Sequence, residues 1–209
     1  MEQEQLNQIV QDFLSRLSLP ETKADKPFVV AMIGLIGSGR TMVAKMFVEK
    51  LKGAVLIKSD SARYLLKEAD LPWGDNVRQI LKGVATDLLN REYGVVFDGN
   101  ATDEEDRKNI SDMANQNGAE VFYIRINIDS EIAKERKRTR YEDPSWVSSF
   151  DDFRVNTTDK MLKNIDERAE LHQKLKSSEI PNLLGEVNND GSLEELKKQV
   201  EELVPKIKI

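Results

Sequence analysis

The sequence predicts a three-layer α/β domain in which helices cover both faces of a five-stranded, mostly parallel sheet. Three observations support this fold class. Short apolar runs alternate with longer amphipathic patterns along the chain, as strands and helices do in βαβ units. A glycine-bearing turn joins the first apolar run to the helical pattern after it. Polar residues follow several of the apolar runs, at the edge where ligands bind in open parallel sheets.

The predicted elements follow from these patterns. Strands are predicted at residues 28–33, 54–57, 93–97, 121–128 and 183–187, which are short apolar runs. Apolar residues three and four apart predict helices at residues 6–17, 42–51, 77–92, 103–117 and 192–204. Further helices are predicted from about residue 59 through 69, from residue 130 until the stop at residues 143–146, and over residues 150–176. Asp129 is the predicted N-cap of the helix that starts at Ser130.

The composition excludes several kinds of site. The chain of 209 residues is long enough for one domain with a full core. It contains no cysteine, which excludes disulfides and thiolate metal sites. The single histidine, His172, argues against a zinc site or a Ser-His triad, and we expect an inert surface residue there. No apolar run approaches ~20 residues. Because the first residues also lack a signal-peptide profile, we expect a cytoplasmic protein without a membrane segment.

The net charge restricts the kind of partner. Lysine and arginine together number 31 and aspartate and glutamate 37, which gives a formal net charge of −6. This balance argues against long nucleic acids, whose binding usually requires a basic face. It leaves room for a small phosphate-bearing ligand, because a local group of arginines can exist in an acidic protein.

Residues 34–41 read GLIGSGRT and lie between the first predicted strand and its helix. A strand, a glycine loop and a helix start in that order are the context of a phosphate-binding loop. Glycine lets the backbone turn its N–H groups around an anion, and the helix start adds its positive dipole end. The alternative is an ordinary strand-to-helix turn, but three of the four fixed motif positions are kept. The predicted nucleotide-binding residues are Gly34, Gly37, Ser38, Gly39, Arg40 and Thr41.

Two positions of this loop carry further expectations. Thr41 lies where a hydroxyl would reach the magnesium ion that accompanies a nucleoside triphosphate. Arg40 occupies the position at which the motif has lysine. Arginine keeps the positive charge but replaces a compact ammonium with a wide planar fork. We therefore expect nucleotide binding to survive this change and phosphoryl transfer to be slowed or lost.

Candidate catalytic residues follow the second and third predicted strands. Asp60 lies just after the second strand, where a carboxylate can take the proton of an acceptor hydroxyl, and Arg63 can clamp the acceptor. An equally supported alternative is that Asp60 or its neighbour Ser61 simply caps the next helix. Asp98 ends the third strand, a common position for aspartate, which beside a phosphate loop indicates a residue that holds metal-bound water. Arg107, in the helix after this strand, is expected to be a solvated surface residue.

Basic residues cluster in the helix that starts at Ser130. Arg136 and Arg140 are four apart and share a helix face, whereas Arg138 points elsewhere. Two guanidinium groups on one face can neutralise the charge that builds on a transferred phosphoryl group. The alternative is a solvated basic turn balanced by nearby glutamates. The position of the cluster, before a long polar helix typical of a lid and its return arm, favours the functional interpretation.

Together these motifs resemble the P-loop kinases of the nucleoside-monophosphate-kinase-like class. The resemblance is greatest to the branch that contains polynucleotide 5′-hydroxyl kinase and related small-molecule kinases. It covers about residues 28–204. It rests on the glycine loop, the pair Asp60 and Arg63, the sequence VVFDGNAT at residues 95–102, and the pair Arg136 and Arg140.

The resemblance implies a fold and a set of roles. The fold is a P-loop NTPase domain with strand order 2-3-1-4-5, here residues 27–209, with a helical lid at about residues 136–153. Residues 1–26, an amphipathic helix and a linker, are an addition that we expect to pack on the outside of this domain or on a partner. Asp60 would act as general base on the acceptor hydroxyl and Arg63 would contact the acceptor phosphate. Arg136 and Arg140 would contact the donor phosphates.

The leading hypothesis is an ATP-dependent, Mg²⁺-requiring kinase that transfers the γ-phosphoryl group to a hydroxyl of a small molecule or of a nucleic acid end. Thr41 and Asp98 would serve the metal, and Arg40 would add positive charge. Acceptor specificity is expected in residues 64–76 and 141–153, and the acidic balance favours a small acceptor. The alternative is a catalytically impaired nucleotide-binding module marked by Arg40. A GTPase ranks lowest, because the guanine signature Asn-Lys-x-Asp is missing from the sequence.

Overall fold

The computed structural model describes residues 2–143, 145, 147–153 and 158–208. In this part of the chain five parallel strands form one sheet in the order β2-β3-β1-β4-β5. The predicted number, type and order of strands are thereby confirmed. The strands are β1 (Phe28–Gly34), β2 (Ala54–Lys58), β3 (Gly94–Asp98), β4 (Glu120–Asn127) and β5 (Leu183–Asn188).

Helices cover both faces of this sheet, as the sequence predicts. None of the helices in the described residues is long and apolar enough to span a membrane. The helices are α1 (Gln3–Ser15), α2 (Arg40–Lys50), α3 (Ser59–Glu68), α4 (Asp75–Asn90), α5 (Glu104–Gln116), α6 (Ser130–Tyr141), α7 (Thr158–Lys174) and α8 (Leu193–Leu203).

The central strand β1 divides the interior into two cores. All seven of its residues are buried, which explains why its sequence is continuously apolar instead of alternating. Because successive side chains point to opposite faces, neighbours along the strand belong to different cores. One core lies under α1, α3, α4 and α5, and the other under α2 and α8. Val29, Ala31 and Ile33 face the first core, and Phe28, Val30 and Met32 face the second.

The N-terminal helix α1 packs into the first core. Its buried residues include Val10 and Phe13, and the helix lies against α3 and α4. Gly83 of α4 permits the close approach, because a Cβ atom there would lie 2.8 Å from Cγ2 of Val10. The ring of Phe13 also meets the ring of Phe150 edge to face, with 5.0 Å between centroids. The helix is therefore packed against the domain, as its apolar face predicts.

The helix α6 begins where the sequence predicts. The side chain of Asp129 accepts hydrogen bonds from the backbone N–H groups of Glu131 at 2.8 Å and Ile132 at 3.3 Å. These bonds satisfy donors that have no partner within the helix, so the predicted N-cap is confirmed. The predicted stop at residues 143–146 includes two residues outside the described part of the chain, 144 and 146.

The predicted helix over residues 150–176 is wrong in its first turn. Helix α7 starts at residue 158, residues 150–153 are not helical, and residues 154–157 lie outside the described part. Side chains from other elements donate hydrogen bonds to the carbonyl groups of this segment. Ser61 donates to the carbonyl of Phe150 at 2.7 Å, and Lys58 donates to the carbonyl of Asp151 at 2.7 Å. These carbonyls are thus satisfied without helical hydrogen bonds.

Candidate active site

A cavity of about 790 Å³ lies at the carboxyl edge of the sheet. Its walls are the ends of β1, β2 and β3, the loop that follows β1, one face of α6, part of α7, and residues after β5. In open parallel sheets this edge is where ligands bind. The cavity therefore lies at the position that the sequence predicts for a site.

The glycine loop wraps the end of the cavity next to β1 and α2. Gly37 and Gly39 adopt φ angles of +87° and +88°, which L side chains rarely take. A Cβ atom at Gly37 would lie 2.6 Å from the carbonyl oxygen of Ala133 in α6. A Cβ atom at Gly39 would collide with the amide nitrogen of Asn189. Both glycines are thus required by the backbone conformation and by close neighbours.

Asn189, which follows β5 and also lines the cavity, is hydrogen-bonded to the loop, and the sequence analysis did not identify it. Its side chain is buried and donates to the carbonyl of Ser38 at 2.7 Å. Its backbone N–H donates to the carbonyl of Asn127 at 2.9 Å, which fixes it at the end of β4. The signal that identified Asp60 and Asp98, a polar residue at the end of a predicted strand, also applies to residues 188–190.

Two polar atoms of the loop are buried without a hydrogen-bond partner among the described residues. They are Oγ of Ser38 and Nη1 of Arg40. Burial lowers the pKa of the Arg40 guanidinium, and the nearby carboxylates of Asp98 and Asp60 oppose that shift. Unsatisfied buried donors are costly, and such groups in native structures commonly face a ligand or ion. An anion in the loop would provide the missing acceptor.

Thr41 and Asp98, the two predicted metal residues, lie in direct contact. Oγ1 of Thr41 donates to Oδ2 of Asp98 at 2.6 Å, and both residues line the cavity. A hydroxyl and a carboxylate are oxygen ligands of the kind that Mg²⁺ prefers. No group of three or more His, Cys, Asp or Glu side chains in the described chain forms a metal cage. The pair therefore fits an ion that is held largely by phosphates and water.

Asp60 and Arg63 line the same cavity and form an ion pair. Nη1 of Arg63 donates to Oδ1 of Asp60 at 2.7 Å and to Oγ of Ser59 at 3.0 Å. The helix α3 has no side-chain cap, and Ser61 donates to a carbonyl elsewhere. The alternative interpretation, that Asp60 or Ser61 caps this helix, is therefore wrong.

The basic face of α6 forms the opposite wall. Arg136 and Arg140 both line the cavity, as their spacing predicts, and Arg140 forms an ion pair with Asp152. Arg138 lies outside the cavity lining and pairs with Glu135 at 3.4 Å. Arg140 is about as exposed as Arg138, 48% against 44%, so the cavity lining is what distinguishes the two residues. The phosphate contacts of Arg136 and Arg140 stay a prediction.

Residues 151–153 close the side of the cavity beside Asp60. Nζ of Lys58 donates to the Asp151 carbonyl and lies 3.1 Å from Oδ1 of the same residue. Phe153 is buried between the rings of Tyr64 and Trp73, with centroid distances of 5.9 Å and 6.1 Å. Lys58 was missed because a lysine at the end of an apolar strand looks like a solvated residue.

Two basic residues that the sequence analysis placed on the surface are buried, so those expectations are wrong. Arg107 donates to the carbonyls of Ala101, at 3.1 Å, and Thr102, and thus ties α5 to the segment after β3. The backbone carbonyl of His172 accepts from Nη2 of Arg125 at 2.8 Å. Burial and the neighbouring Arg125 lower the pKa of His172 to about 4. Neither Arg107 nor His172 lines the cavity.

The strand order and the glycine loop define an α/β domain with the P-loop NTPase fold. Residues 29–170 match the AAA domain family (AAA_33), which is more than half of the chain. The chain belongs to this family. Comparison with curated proteins gave no match.

Solved structures share the fold at low sequence identity. A gluconokinase from Sinorhizobium meliloti 1021 is 14% identical, with 87% of this chain and 93% of that chain covered and a TM-score of 0.57. A chain of the Pnkp1/Rnl/Hen1 RNA repair complex is also 14% identical, with 75% and 48% covered and a TM-score of 0.54. The tunicamycin resistance protein of Deinococcus radiodurans is 13% identical, with 88% and 97% covered and a TM-score of 0.50. These likenesses confirm the predicted fold.

Proposed function

We propose that this protein is an ATP-dependent, Mg²⁺-requiring kinase that transfers the γ-phosphoryl group of ATP to a hydroxyl of a small molecule or a nucleic acid end. One observation carries the proposal: the glycine loop, the Thr41 and Asp98 pair, Asp60 and the lid arginines all line one cavity. The similar structures include a gluconokinase and a chain of an RNA repair complex, so they support either kind of acceptor.

The donor phosphates would occupy the glycine loop. Its N–H groups and the start of α2 attract anions, and Nη1 of Arg40 needs an acceptor. Arg136 and Arg140 would then approach the transferred group from α6, with residues 136–153 as the lid. Because phosphoryl transfer is driven mainly by positioning and charge neutralisation, these cations would lower its barrier.

Thr41 and Asp98 would hold the Mg²⁺ that accompanies ATP. When bound, the ion would neutralise negative charge on the phosphates. The hydrogen bond between the two side chains places a hydroxyl and a carboxylate together at the mouth of the glycine loop. When the ion is bound, the hydroxyl and carboxylate oxygens would face the ion, and the hydrogen bond between them would be lost.

Asp60 would take the proton of the acceptor hydroxyl. It lies on α3 at the cavity wall, where the Arg63 guanidinium holds Oδ1 and so restricts the rotation of the carboxylate. Arg63 would also contact a phosphate on an acceptor that carries one. Residues 151–153 and the rings beside them would shape the acceptor pocket.

The sharpest test of this role is Asp60→Asn. We expect the variant to bind Mg-ATP with the affinity of the natural chain and to lose about a hundredfold or more of its transfer rate, as general-base loss does. Calorimetry would measure binding, and labelled ATP with sugars, nucleosides and 5′-hydroxyl oligonucleotides would measure transfer. The matched control is Asp87→Asn, a helix aspartate paired with Arg91 and outside the cavity. Undiminished transfer by Asp60→Asn would remove the general-base assignment.

Arg40 favours a second function, a nucleotide-binding module that does not catalyse transfer. A planar guanidinium is a poor substitute for a lysine ammonium in a tight phosphate site. The two functions differ in the behaviour of Arg40→Lys. If this variant hydrolyses or transfers phosphate while the natural chain only binds Mg-ATP, the module function is supported. Equal turnover by both forms would support the kinase.

A further inference from the structure

One face of α6 lies against the glycine loop. Its residues recur at helical spacing, and Ala133 at one end contacts Gly37 of the loop through its carbonyl. Residue 137 is one turn beyond Ala133 on the same face, between the two predicted lid arginines. The cavity-lining residues of this face are Arg136, Lys137, Arg140 and Tyr141.

Lys137 lines this cavity, and none of the carboxylates in the described part of the chain forms an ion pair with it. Among the described residues no ion pair or hydrogen bond to its ammonium group is present, whereas Lys58 and Lys134 each pair with an aspartate. Its Nζ lies 5.8 Å from the centroid of the Tyr141 ring. A partly buried ammonium with no counter-ion is unfavourable unless a ligand provides one.

Four charged residues, each on a different segment of the chain, influence the pKa of Lys137. Burial and the Arg140 guanidinium lower the pKa of Lys137 to about 8, and Arg40 of α2 acts in the same direction. Asp60 of α3 and Asp152 oppose the shift. These interactions place the ammonium within electrostatic reach both of the loop arginine and of the candidate base, which is where donor phosphates would lie.

We propose that Lys137 binds the donor phosphates from the lid helix and provides the ammonium that the glycine loop lacks at Arg40. The assignment rests on the proposed function, because it requires a polyphosphate donor in the loop. An ammonium is a compact charge with three rotatable donors, so it can follow a moving phosphoryl group in a way that a rigid fork cannot. The two cations would then have different roles: Arg40 would hold the phosphates at the start of α2, and Lys137 would contact them from α6.

The test compares Lys137→Ala with Arg138→Ala, which removes a neighbouring cation of the same helix that lies outside the cavity lining. We expect Lys137→Ala to weaken Mg-ATP binding about tenfold or more, as loss of a charge-assisted contact does, and to weaken Mg-ADP binding less. Arg138→Ala should bind both nucleotides within about twofold of the natural chain. Calorimetry measures the affinities, and thermal melting shows that both variants are folded.

A double variant tests whether an ammonium in the glycine loop can replace the ammonium on α6. Adding Arg40→Lys to Lys137→Ala should restore most of the lost Mg-ATP affinity, because an ammonium is then present in the loop. Failure to restore it would overturn the proposed substitution of one ammonium for the other. If Lys137→Ala binds Mg-ATP as the natural chain does, this assignment is overturned and the kinase proposal stands. If the natural chain binds no Mg-ATP, both are overturned.

Discussion

The two walls of the cavity are held in different ways. The glycine loop is fixed by buried backbone contacts, with Gly37 against α6 and the carbonyl of Ser38 bonded to Asn189. The side closed by residues 151–153 rests on the buried Phe153 ring, on a hydrogen bond from Lys58 to the Asp151 carbonyl, and on ion pairs whose partners reach solvent; the side chain of Asp151 is 84% exposed. Buried hydrogen bonds and backbone contacts tolerate little change, whereas exposed ion pairs contribute little to stability. The wall proposed to bind the donor should therefore be rigid, and the wall proposed to bind the acceptor should be adaptable.

The strongest test of the rigid wall is Gly37→Ala. The new methyl group would meet the Ala133 carbonyl at 2.6 Å on a backbone with φ of +87°. We expect a loss of stability on the order of 2–4 kcal/mol and loss of measurable Mg-ATP binding. Gly118→Ala is the matched control, because its φ is +66° with open space around the position. The control should lose only about 1–2 kcal/mol, the cost of the left-handed conformation. Equal losses in chemical denaturation would contradict a rigid loop.

Asn189→Ala should give the next largest effect. It removes the donor to the Ser38 carbonyl and leaves that buried oxygen unsatisfied, which costs about 1–3 kcal/mol. Mg-ATP affinity should fall because the loop loses its outer support. Asn90→Ala, at an exposed position at the end of α4, is the control and should change neither quantity. Unfolding by denaturant and calorimetry with Mg-ATP would measure both. An unchanged affinity in a destabilised variant would show that the loop holds its shape alone.

The end of α7 extends the comparison between buried and exposed contacts, because His172 in its last turn is buried. In the unfolded chain His172 binds a proton below about pH 6.5, but in the folded protein only near pH 4. Between these values the unfolded state carries more protons, so stability falls as pH falls. We expect a loss on the order of 1–2 kcal/mol from pH 7 to 4.5 that His172→Gln removes. Denaturation curves at several pH values measure it, and parallel pH profiles of the two chains would refute it.

The smallest effect on stability is expected for Asp151→Ala. The ion pair with Lys58 has one highly exposed partner, so its loss should cost less than about 1 kcal/mol. Because the segment lines the acceptor side, the KM for the acceptor should rise while Mg-ATP affinity stays constant. Asp25→Ala removes another exposed pair, with Lys52 and outside the cavity lining, and should leave both constants unchanged. A change in Mg-ATP affinity for Asp151→Ala would contradict the proposal that the two walls bind different substrates.

The sheet and the loop could be predicted because their signals are local. Continuous apolar runs identify buried parallel strands, and the glycine spacing between β1 and α2 identifies the turn. The side chain of Asp129 accepts hydrogen bonds from residues only two and three positions away, so its role as an N-cap could also be predicted. Side-chain spacing on α6 gave Arg136 and Arg140 for the same reason, since both are positions on one helix face.

The parts that could not be predicted depend on residues far apart in the chain. Asn189 bonds a loop 151 positions away, and Lys58 bonds residue 151, which is 93 positions away. The burial of His172 could not be predicted for the same reason. Charged residues lie two positions away on either side of it in the sequence, but in space its carbonyl is bonded by Arg125 of β4. Lys137 was missed for another reason: within a basic run, spacing alone does not distinguish an ammonium that faces a cavity from one that faces water.

The edge-to-face contact between Phe13 and Phe150 links the beginning of the chain to the acceptor wall. Phe150 immediately precedes the residues that line the cavity, and its carbonyl is bonded by Ser61 of α3. The first helix thus acts as a brace behind the proposed acceptor pocket. A chain shortened to start at residue 27 would lose this brace together with the buried side chains that α1 contributes to the first core, so the proposed acceptor pocket depends on a helix far from it in the sequence.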